Sequence, residues 1–220
     1  MKRILLLFCL VNSFTASVFG QKALKPIHSK TAYQQLPDAK KLVLLQDSVP
    51  NLKYHLVYAT KDNFTHTQLY RHPKVLTSKP MASALRKAAQ ILEAQGIGLL
   101  IFDAYRPYSV SKKMWTLVQD ERYVANPVYG SDHNRGAAID LTLYDLKTGK
   151  PLEMPTGFDN FTEKAHLSYQ PASAAVLANR NLLQNTMHSV GLRPLPSEWW
   201  HFSLPNSKDF EVLDLDFGEF

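Results

Sequence analysis

The 220-residue chain has almost no cysteine, since its single thiol is that of Cys9. One cysteine cannot form a disulfide within the chain, and it excludes zinc sites that are built from several thiolates. No internal repeat or low-complexity segment is present either, which argues against a repeat protein or a disordered tail. A metal site in this protein would therefore have to use imidazole and carboxylate ligands.

Long apolar runs are also scarce, and the one run, from residue 4 to residue 11, is too short to hold a chain in a bilayer. Two basic residues precede this run, and the small residues after it suit cleavage before Gln21. The pattern predicts a secretory signal over residues 1–20 and a mature domain over residues 21–220. Cys9 lies within the apolar run and follows a bulky side chain, which disfavours a lipid anchor.

Charge of one sign is not concentrated anywhere along the chain. The 25 Lys and Arg residues against 19 Asp and Glu residues give a net charge of +6, which falls to +4 once Lys2 and Arg3 leave with the signal. Basic runs never exceed a pair, whereas a nucleic-acid interface needs a clustered basic stripe. We therefore expect no nucleic-acid partner, and an export signal with a thiol-free domain predicts a periplasmic protein without a stable membrane anchor.

The hydrophobic pattern predicts alternating strands and helices within one domain. Alternation alone favours a parallel α/β sheet, but short strands and turn-rich connections leave an α+β fold equally open. Residues 21–50 are expected to be an irregular lead-in. The predicted helices begin at Ser78, Ser109 and Ala174, and the predicted strands are Leu52–Tyr58, Ile97–Phe102, Ala137–Tyr144 and Trp199–Leu204.

Chemically active side chains concentrate in two short stretches, Ser131–Asp140 and Glu198–His201. A hydrolytic zinc site needs three nitrogen or oxygen ligands, an open position for water, and a further carboxylate that accepts the proton of that water. The two stretches contain two imidazoles and three carboxylates, which is enough for such a site. We therefore predict zinc ligands and a general base here, although residue chemistry alone leaves an ordinary histidine–carboxylate pair open.

The spacing of these residues sets two geometric requirements. His133 and Asp140 would lie roughly 23–25 Å apart on an extended chain, so the glycine-containing turn between them must bring the chain back. Glu198 and His201 are three residues apart, and a regular strand would send their side chains to opposite faces. Both can serve one site if Glu198 lies in an irregular segment after Pro196.

A cationic group follows the predicted buried strand, in the segment Asp103-Ala104-Tyr105-Arg106-Pro107. Loops that leave a rigid sheet often carry functional groups. Arg106 is therefore a candidate for stabilising the negative charge that develops on a carbonyl oxygen during hydrolysis. The alternative is a structural ion pair between Arg106 and Asp103.

The assembled sequence resembles the zinc D-alanyl-D-alanine dipeptidases of the vancomycin-resistance type, over about residues 50–204. These enzymes belong to the wider D,D-peptidase group with the Hedgehog-like zinc fold. The resemblance implies an α+β single domain with a mainly antiparallel central sheet flanked by helices. The matching fragments, in the family's order, are Tyr58-Ala59-Thr60 with Asn63-Phe64, Asp103–Pro107, Ser131–Tyr144, Gly157-Phe158-Asp159 and Glu198–His201.

The same resemblance implies zinc-dependent hydrolysis of the D-Ala-D-Ala dipeptide in the cell envelope, with one zinc ion per chain and a small dipeptide as the partner. The roles that it implies are zinc binding by His133, Asp140 and His201, general base and then general acid catalysis by Glu198, transition-state stabilisation by Arg106, binding of the substrate ammonium by Asp159 and Tyr58, and a further polar contact from Ser131.

Two other functions remain open at the level of sequence. The first is a D,D- or L,D-carboxypeptidase or endopeptidase that acts on peptidoglycan stem peptides with the same metal and base. The second is a non-catalytic zinc protein that binds cell-wall peptide. An anchor for a free ammonium at Asp159 favours the dipeptidase over the carboxypeptidase, and the presence of Glu198 and Arg106 disfavours a protein that only holds metal.

Overall fold

The computed structural model describes residues 24–121, 124–171 and 173–220. The predicted signal over residues 1–20 therefore lies outside the described residues. Within the described ranges, no helix combines the length and the apolarity needed to cross a membrane. The helices are α1 (Lys30–Gln34), α2 (Lys79–Glu93), α3 (Tyr108–Val118) and α4 (Ala174–Ser189), and the strands are β1 (Leu42–Leu44), β2 (Leu52–Tyr54), β3 (Leu76–Ser78), β4 (Ile97–Asp103), β5 (Ala138–Asp145), β6 (Arg193–Leu195) and β7 (Glu198–Ser203).

A five-stranded sheet in the order β2-β4-β5-β7-β6 forms the centre of the protein. β2 runs parallel to β4, while the pairs β4–β5, β5–β7 and β7–β6 are antiparallel. β1 and β3 form a separate antiparallel pair. This arrangement confirms the α+β fold with a mainly antiparallel central sheet, and the parallel α/β alternative is wrong.

Two long helices cover one side of the sheet. α2 begins after Ser78, has Pro80 in its first turn, and buries an apolar stripe that packs against β4 and α4. Proline suits this position because the first-turn N–H has no helical acceptor. Trp199, Trp200 and Phe202 of β7 are fully buried in the same core. Burial of each such side chain contributes about 1.5–3 kcal/mol, so β7 is held firmly where it carries the candidate site.

Three expectations about local structure are wrong. Residues 21–50 are not an irregular lead-in, because they contain α1 and β1, and β1 obtains its partner from the distant β3. The predicted strand from residue 52 to residue 58 ends at Tyr54. Ser109 does not cap α3, since the helix begins at Tyr108 and the Ser109 N–H donates to the Asp214 carboxylate.

The C-terminal segment runs across the turns that carry the candidate site. The Leu213 N–H donates to the carbonyl of Asn134 over 2.9 Å. The Tyr105 hydroxyl donates to the Leu215 carbonyl over 2.9 Å and accepts from the Leu215 N–H over 3.0 Å, although the two residues are 110 positions apart. Phe217 packs edge-on against the Tyr105 ring. Backbone from late in the chain therefore holds the loop after β4 and the turn before β5.

Candidate active site

A short 3-10 turn from His133 to Arg135 brings the chain back before β5, as the spacing requires. The side chain of Asn134 locks this turn from inside the protein. Its amide nitrogen donates to the Arg106 carbonyl and to the Ser111 hydroxyl, and its amide oxygen accepts from the Ser131 N–H. Because these partners come from three segments, His133 has little freedom to move away from the site.

Gly136 ends the turn with a φ of +59°, and a Cβ atom there would lie 2.2 Å from Leu42 Cδ2. The left-handed conformation costs a non-glycine residue about 1–2 kcal/mol, and overpacking adds about 1–3 kcal/mol. We therefore expect Gly136→Ala to lower the free energy of unfolding by about 2–5 kcal/mol in urea denaturation. The matched control is Gly157→Ala, where the added methyl group meets nothing within 4 Å. Equal losses in the two variants would contradict this explanation.

His133, Asp140 and His201 meet at the end of the paired strands β5 and β7. Asp140 and His201 are direct partners in the strand register, and the Asp140 carboxylate lies 2.9 Å from His201 Nδ1. His133 Nε2 lies 3.3 Å from the other Asp140 oxygen and 3.3 Å from His201 Nδ1. The donor atoms of these three residues lie within 4.8 Å of one another, so together they can hold a metal ion.

The surroundings of this triad prepare it to bind a cation. The His133 Nδ1–H donates to the Ala104 carbonyl over 2.8 Å, which fixes the tautomer and turns the lone pair of Nε2 toward the other two ligands. Burial acts to raise the pKa of Asp140, but the His133 and His201 imidazoles outweigh it and hold that pKa far below its usual range. Asp140 is therefore available as an anion at neutral pH.

Glu198 reaches the same site because β7 is irregular. It is the first residue of β7, and the pairing with β6 shifts register between Pro194 and Leu195. Pro194 pairs with Phe202 but Leu195 pairs with Glu198, so the regular register between β6 and β7 is broken between these two pairs. The Glu198 Oε2 atom consequently lies 3.9 Å from His201 Nδ1. The irregularity that the sequence requires is present, as a register shift at the start of a strand rather than as a loop.

Burial raises the pKa of the Glu198 carboxyl above its usual value, and the negative charge of Asp140 raises it further, whereas His201 acts in the opposite direction. A general base works best when its pKa approaches the operating pH. The environment of Glu198 therefore moves this carboxylate toward the proton affinity that base catalysis needs.

Arg106 forms the predicted ion pair and also faces the cavity, so the two interpretations of this residue are compatible. Its Nη2 and Nε atoms donate to one oxygen of the fully buried Asp103, over 2.6 and 3.0 Å. The other Asp103 oxygen accepts from the Tyr70 hydroxyl over 2.7 Å. The guanidinium carbon lies 5.1 Å from the centre of the Tyr58 ring. Asp103 and Tyr70 thus fix the direction of the cation.

Asp159 and Tyr58 come together as a second polar pair in the cavity. The Tyr58 hydroxyl lies 3.0 and 3.2 Å from the two Asp159 oxygens. The adjacent Phe158 stacks on Phe102 of β4 with ring centres 4.8 Å apart, which fixes the loop to the sheet. Burial, followed by the negative charge of Asp140, raises the pKa of Asp159 well above its usual value. A cationic group from a ligand would relieve this destabilised anion.

All eight predicted site residues line one cavity of about 360 Å³. Ser131 is partly committed to structure, because its hydroxyl accepts from the Asn134 N–H over 3.2 Å. Apolar walls complete the cavity. The site residues on its surface are Tyr58, Arg106, Ser131, His133, Asp140, Asp159, Glu198 and His201, and its apolar walls include Phe64, Met114, Phe161, Leu195 and Trp200.

Sequence reasoning missed three supporting residues. Tyr70 holds Asp103 from a segment that carries no recognisable motif, so nothing in the sequence pointed to it. Asn134 lies between two candidate ligands, and its position inside the turn was a usable signal. Lys208 lines the cavity from the C-terminal segment, where no sequence pattern indicates a site.

Comparison with known proteins agrees with this geometry. The profile of a peptidase family described as D-ala-D-ala dipeptidase matches residues 38–219. The chain belongs to the D-alanyl-D-alanine dipeptidase family. This membership makes the protein a hydrolase of the metallopeptidase class, as predicted.

Two curated members of the dipeptidase family illustrate how fully the chain matches. A D-alanyl-D-alanine dipeptidase of Escherichia coli K12 is 37% identical over 185 residues, covering 84% of this chain and 95% of the relative. A D-alanyl-D-alanine dipeptidase of Enterococcus faecium is 33% identical over 194 residues, covering 76% of this chain and 96% of the relative. Among solved structures, the LdcB LD-carboxypeptidase is 17% identical with a TM-score of 0.44, covering 80% of this chain and 78% of that one.

Proposed function

We propose that this chain hydrolyses the dipeptide D-Ala-D-Ala with one bound zinc ion. The observation that carries the proposal is that a single cavity gathers a three-residue metal cluster, a buried carboxylate beside it, a cation and a separate carboxylate–phenol pair. Each of these groups meets one chemical need of peptide hydrolysis. Family membership and the names of the relatives support the same substrate.

The donor set fits zinc in both chemistry and spacing. Zinc takes imidazole nitrogen and carboxylate oxygen at about 2.0–2.2 Å, so neighbouring ligands of a tetrahedral ion lie about 3.3 Å apart. His133 Nε2 lies 3.3 Å from His201 Nδ1 and 3.3 Å from one Asp140 oxygen, and the other Asp140 oxygen lies 2.9 Å from His201 Nδ1, so the contacts are of this size. We infer that these residues hold the ion. Three protein ligands leave one position for substrate or water, as in catalytic sites.

Zinc, when bound, polarises the scissile carbonyl and lowers the pKa of water toward 7. Glu198 takes the proton of the attacking water on its carboxylate and delivers it to the nitrogen of the leaving D-alanine. Arg106, held by Asp103, faces the oxygen on which negative charge develops. The buried Trp200 forms part of the wall that keeps bulk water away from these charges.

Asp159 and Tyr58 would bind the free ammonium of the substrate. We expect Asp159→Asn to lower kcat/KM for D-Ala-D-Ala by about 10- to 100-fold, because a charge-assisted hydrogen bond is lost. N-acetyl-D-Ala-D-Ala has no ammonium and should be a poor substrate of the parent protein. Asp159→Asn should therefore change kcat/KM for this compound little. Kinetics with both substrates test this. Equal losses on the two substrates would contradict the assigned role.

The rival functions differ in their substrates. Purified residues 21–220 with zinc should release D-alanine from D-Ala-D-Ala much faster than from a pentapeptide stem that ends in D-Ala-D-Ala. Faster cleavage of the stem would favour the carboxypeptidase or endopeptidase. Stoichiometric zinc binding without hydrolysis of either substrate would favour the non-catalytic wall-binding protein.

We further propose that the chain is exported to the periplasm, where peptidoglycan fragments would supply its substrate. The support is the basic, then apolar, then small-residue pattern of residues 1–20. Cell fractionation and N-terminal sequencing of the exported protein test this. A product that keeps residues 1–20 and stays with cytoplasmic markers would refute the export.

A further inference from the structure

The charged side chains around the cavity are mostly anionic. Within the described part of the chain, the lysine and arginine residues that line it are Arg106 and Lys208. A free dipeptide carries an ammonium at one end and a carboxylate at the other. The carboxylate needs a cationic partner as much as the ammonium needs an anionic one. The anionic residues on the cavity wall are Glu121, Asp132, Asp140, Asp159 and Glu198.

Arg106 is poorly placed to bind the substrate carboxylate. Two of its nitrogens donate to Asp103, and its guanidinium lies over the ring of Tyr58. The Tyr58 hydroxyl in turn bonds Asp159, so Arg106 lies beside the pair to which we assign the substrate ammonium. Among the described lysine and arginine residues of the cavity wall, Lys208 is the cation left for the other end of the dipeptide.

Lys208 lines the same cavity and is held by the residue that precedes the candidate metal ligand His133. Its Nζ atom lies 2.6 Å from the carboxylate of Asp132, the residue before His133. The Asp132 carbonyl accepts from the Arg135 and Ala137 N–H groups, so the anchor of the lysine is itself part of the locked turn. One hydrogen bond leaves two further N–H donors on the ammonium, and 68% of the Lys208 side chain is exposed. A ligand can therefore reach it.

We propose that Lys208 binds the C-terminal carboxylate of the dipeptide and so acts as a specificity-determining residue. This inference rests on the proposed function, because it assumes a substrate with two free ends. Asp159 and Lys208, which both line the cavity, then recognise the two opposite charges of the dipeptide. A peptide that lacks a free carboxylate at this end loses one of the two contacts.

The test varies the lysine and the carboxylate together. Lys208→Met should lower kcat/KM for D-Ala-D-Ala by about tenfold, the loss of one partly exposed charge-assisted hydrogen bond. The same variant should change kcat/KM for D-Ala-D-Ala amide by less than about twofold, because the amide has no charge to lose. Lys208→Arg should retain most of the activity. Where hydrolysis of the amide is too slow, inhibition by D-alanine against D-alaninamide gives the same comparison.

Lys40→Met is the matched control. Lys40 also pairs with a carboxylate, that of Glu211, and it holds the Asp209 carbonyl of the turn that carries Lys208, but it does not line the cavity. Lys40→Met should not alter the ratio of kcat/KM for D-Ala-D-Ala to kcat/KM for D-Ala-D-Ala amide. Equal losses on acid and amide in Lys208→Met, or no loss on either, would refute the inference alone. Failure of the unaltered protein to cleave D-Ala-D-Ala would refute the proposed function and the inference with it.

Discussion

Replacement of Glu198 by glutamine is expected to lower kcat/KM for D-Ala-D-Ala by about 10²- to 10⁴-fold. Glutamine keeps the size of the side chain but cannot accept the proton of the attacking water or return it to the leaving amine. The three metal ligands stay in place, since Glu198 lies 3.9 Å from His201 and does not belong to the cluster. Steady-state kinetics and zinc analysis of the same preparation measure the two properties together.

A carboxylate from the neighbouring cavity supplies the control. Glu163 lies in a 3-10 turn beside a second cavity that shares Glu198 in its wall, so Glu163→Gln removes a nearby negative charge without touching the metal cluster. Its activity should stay within about threefold of the parent. Near-normal turnover by Glu198→Gln with zinc still bound would show that another group moves the proton.

Removal of the metal ion by a chelator is expected to abolish hydrolysis, and added zinc is expected to restore it. The buried Asp140 carboxylate and two imidazoles are then left within 3.3 Å of one another without the cation that they surround. Zinc at 1,000 times its dissociation constant should stabilise the fold by about 4 kcal/mol, because it binds the folded protein. Activity assays and thermal unfolding with and without zinc measure both effects.

The matched pair of variants for this prediction is Asp140→Asn and Asp38→Asn. Asp38 pairs with Lys79 on the surface and does not belong to the metal cluster. Asp38→Asn should therefore leave the affinity for zinc unchanged. Asp140→Asn should weaken zinc binding and remove most of the zinc-induced stabilisation. Full activity in the presence of excess chelator, or unaltered zinc affinity in Asp140→Asn, would refute a metal role for the cluster.

The long elements of the fold could be predicted because their sequence patterns are strong. α2 has a serine followed by a proline near its start and a clear apolar stripe, and β4 is nearly continuous in apolar residues. Both begin within a residue or two of the expected positions. β1 and β3 escaped prediction because each has only three residues and gains its stability from the other, 34 residues away. A local pattern contains no information about such a distant partner.

The residue types of the site could be predicted from the sequence, but the packing that positions them could not. Glu198 and His201 are residue types that suit a metal site, but the spacing left open whether both side chains could reach the same site. A register shift between Pro194 and Leu195 allows both side chains to reach the site. This shift depends on how β6 pairs with β7, which the spacing of residues in the sequence does not specify. The residues that fix Arg106 and the turn at Asn134 come from unrelated parts of the chain and emerge only from the packing.

The crossing of the C-terminal segment over the metal-binding turn has a consequence for biosynthesis. Tyr105 and Asn134 obtain their partners from Leu215 and Leu213, so a nascent chain on the ribosome lacks these contacts until translation is nearly complete. Contacts between residues so far apart in sequence carry a large loop-closure cost, so structure that depends on them forms slowly. A partly synthesised chain would therefore hold its hydrolytic residues in an unassembled state, and a premature stop codon near residue 210 would leave a protein with every ligand present and no ordered site.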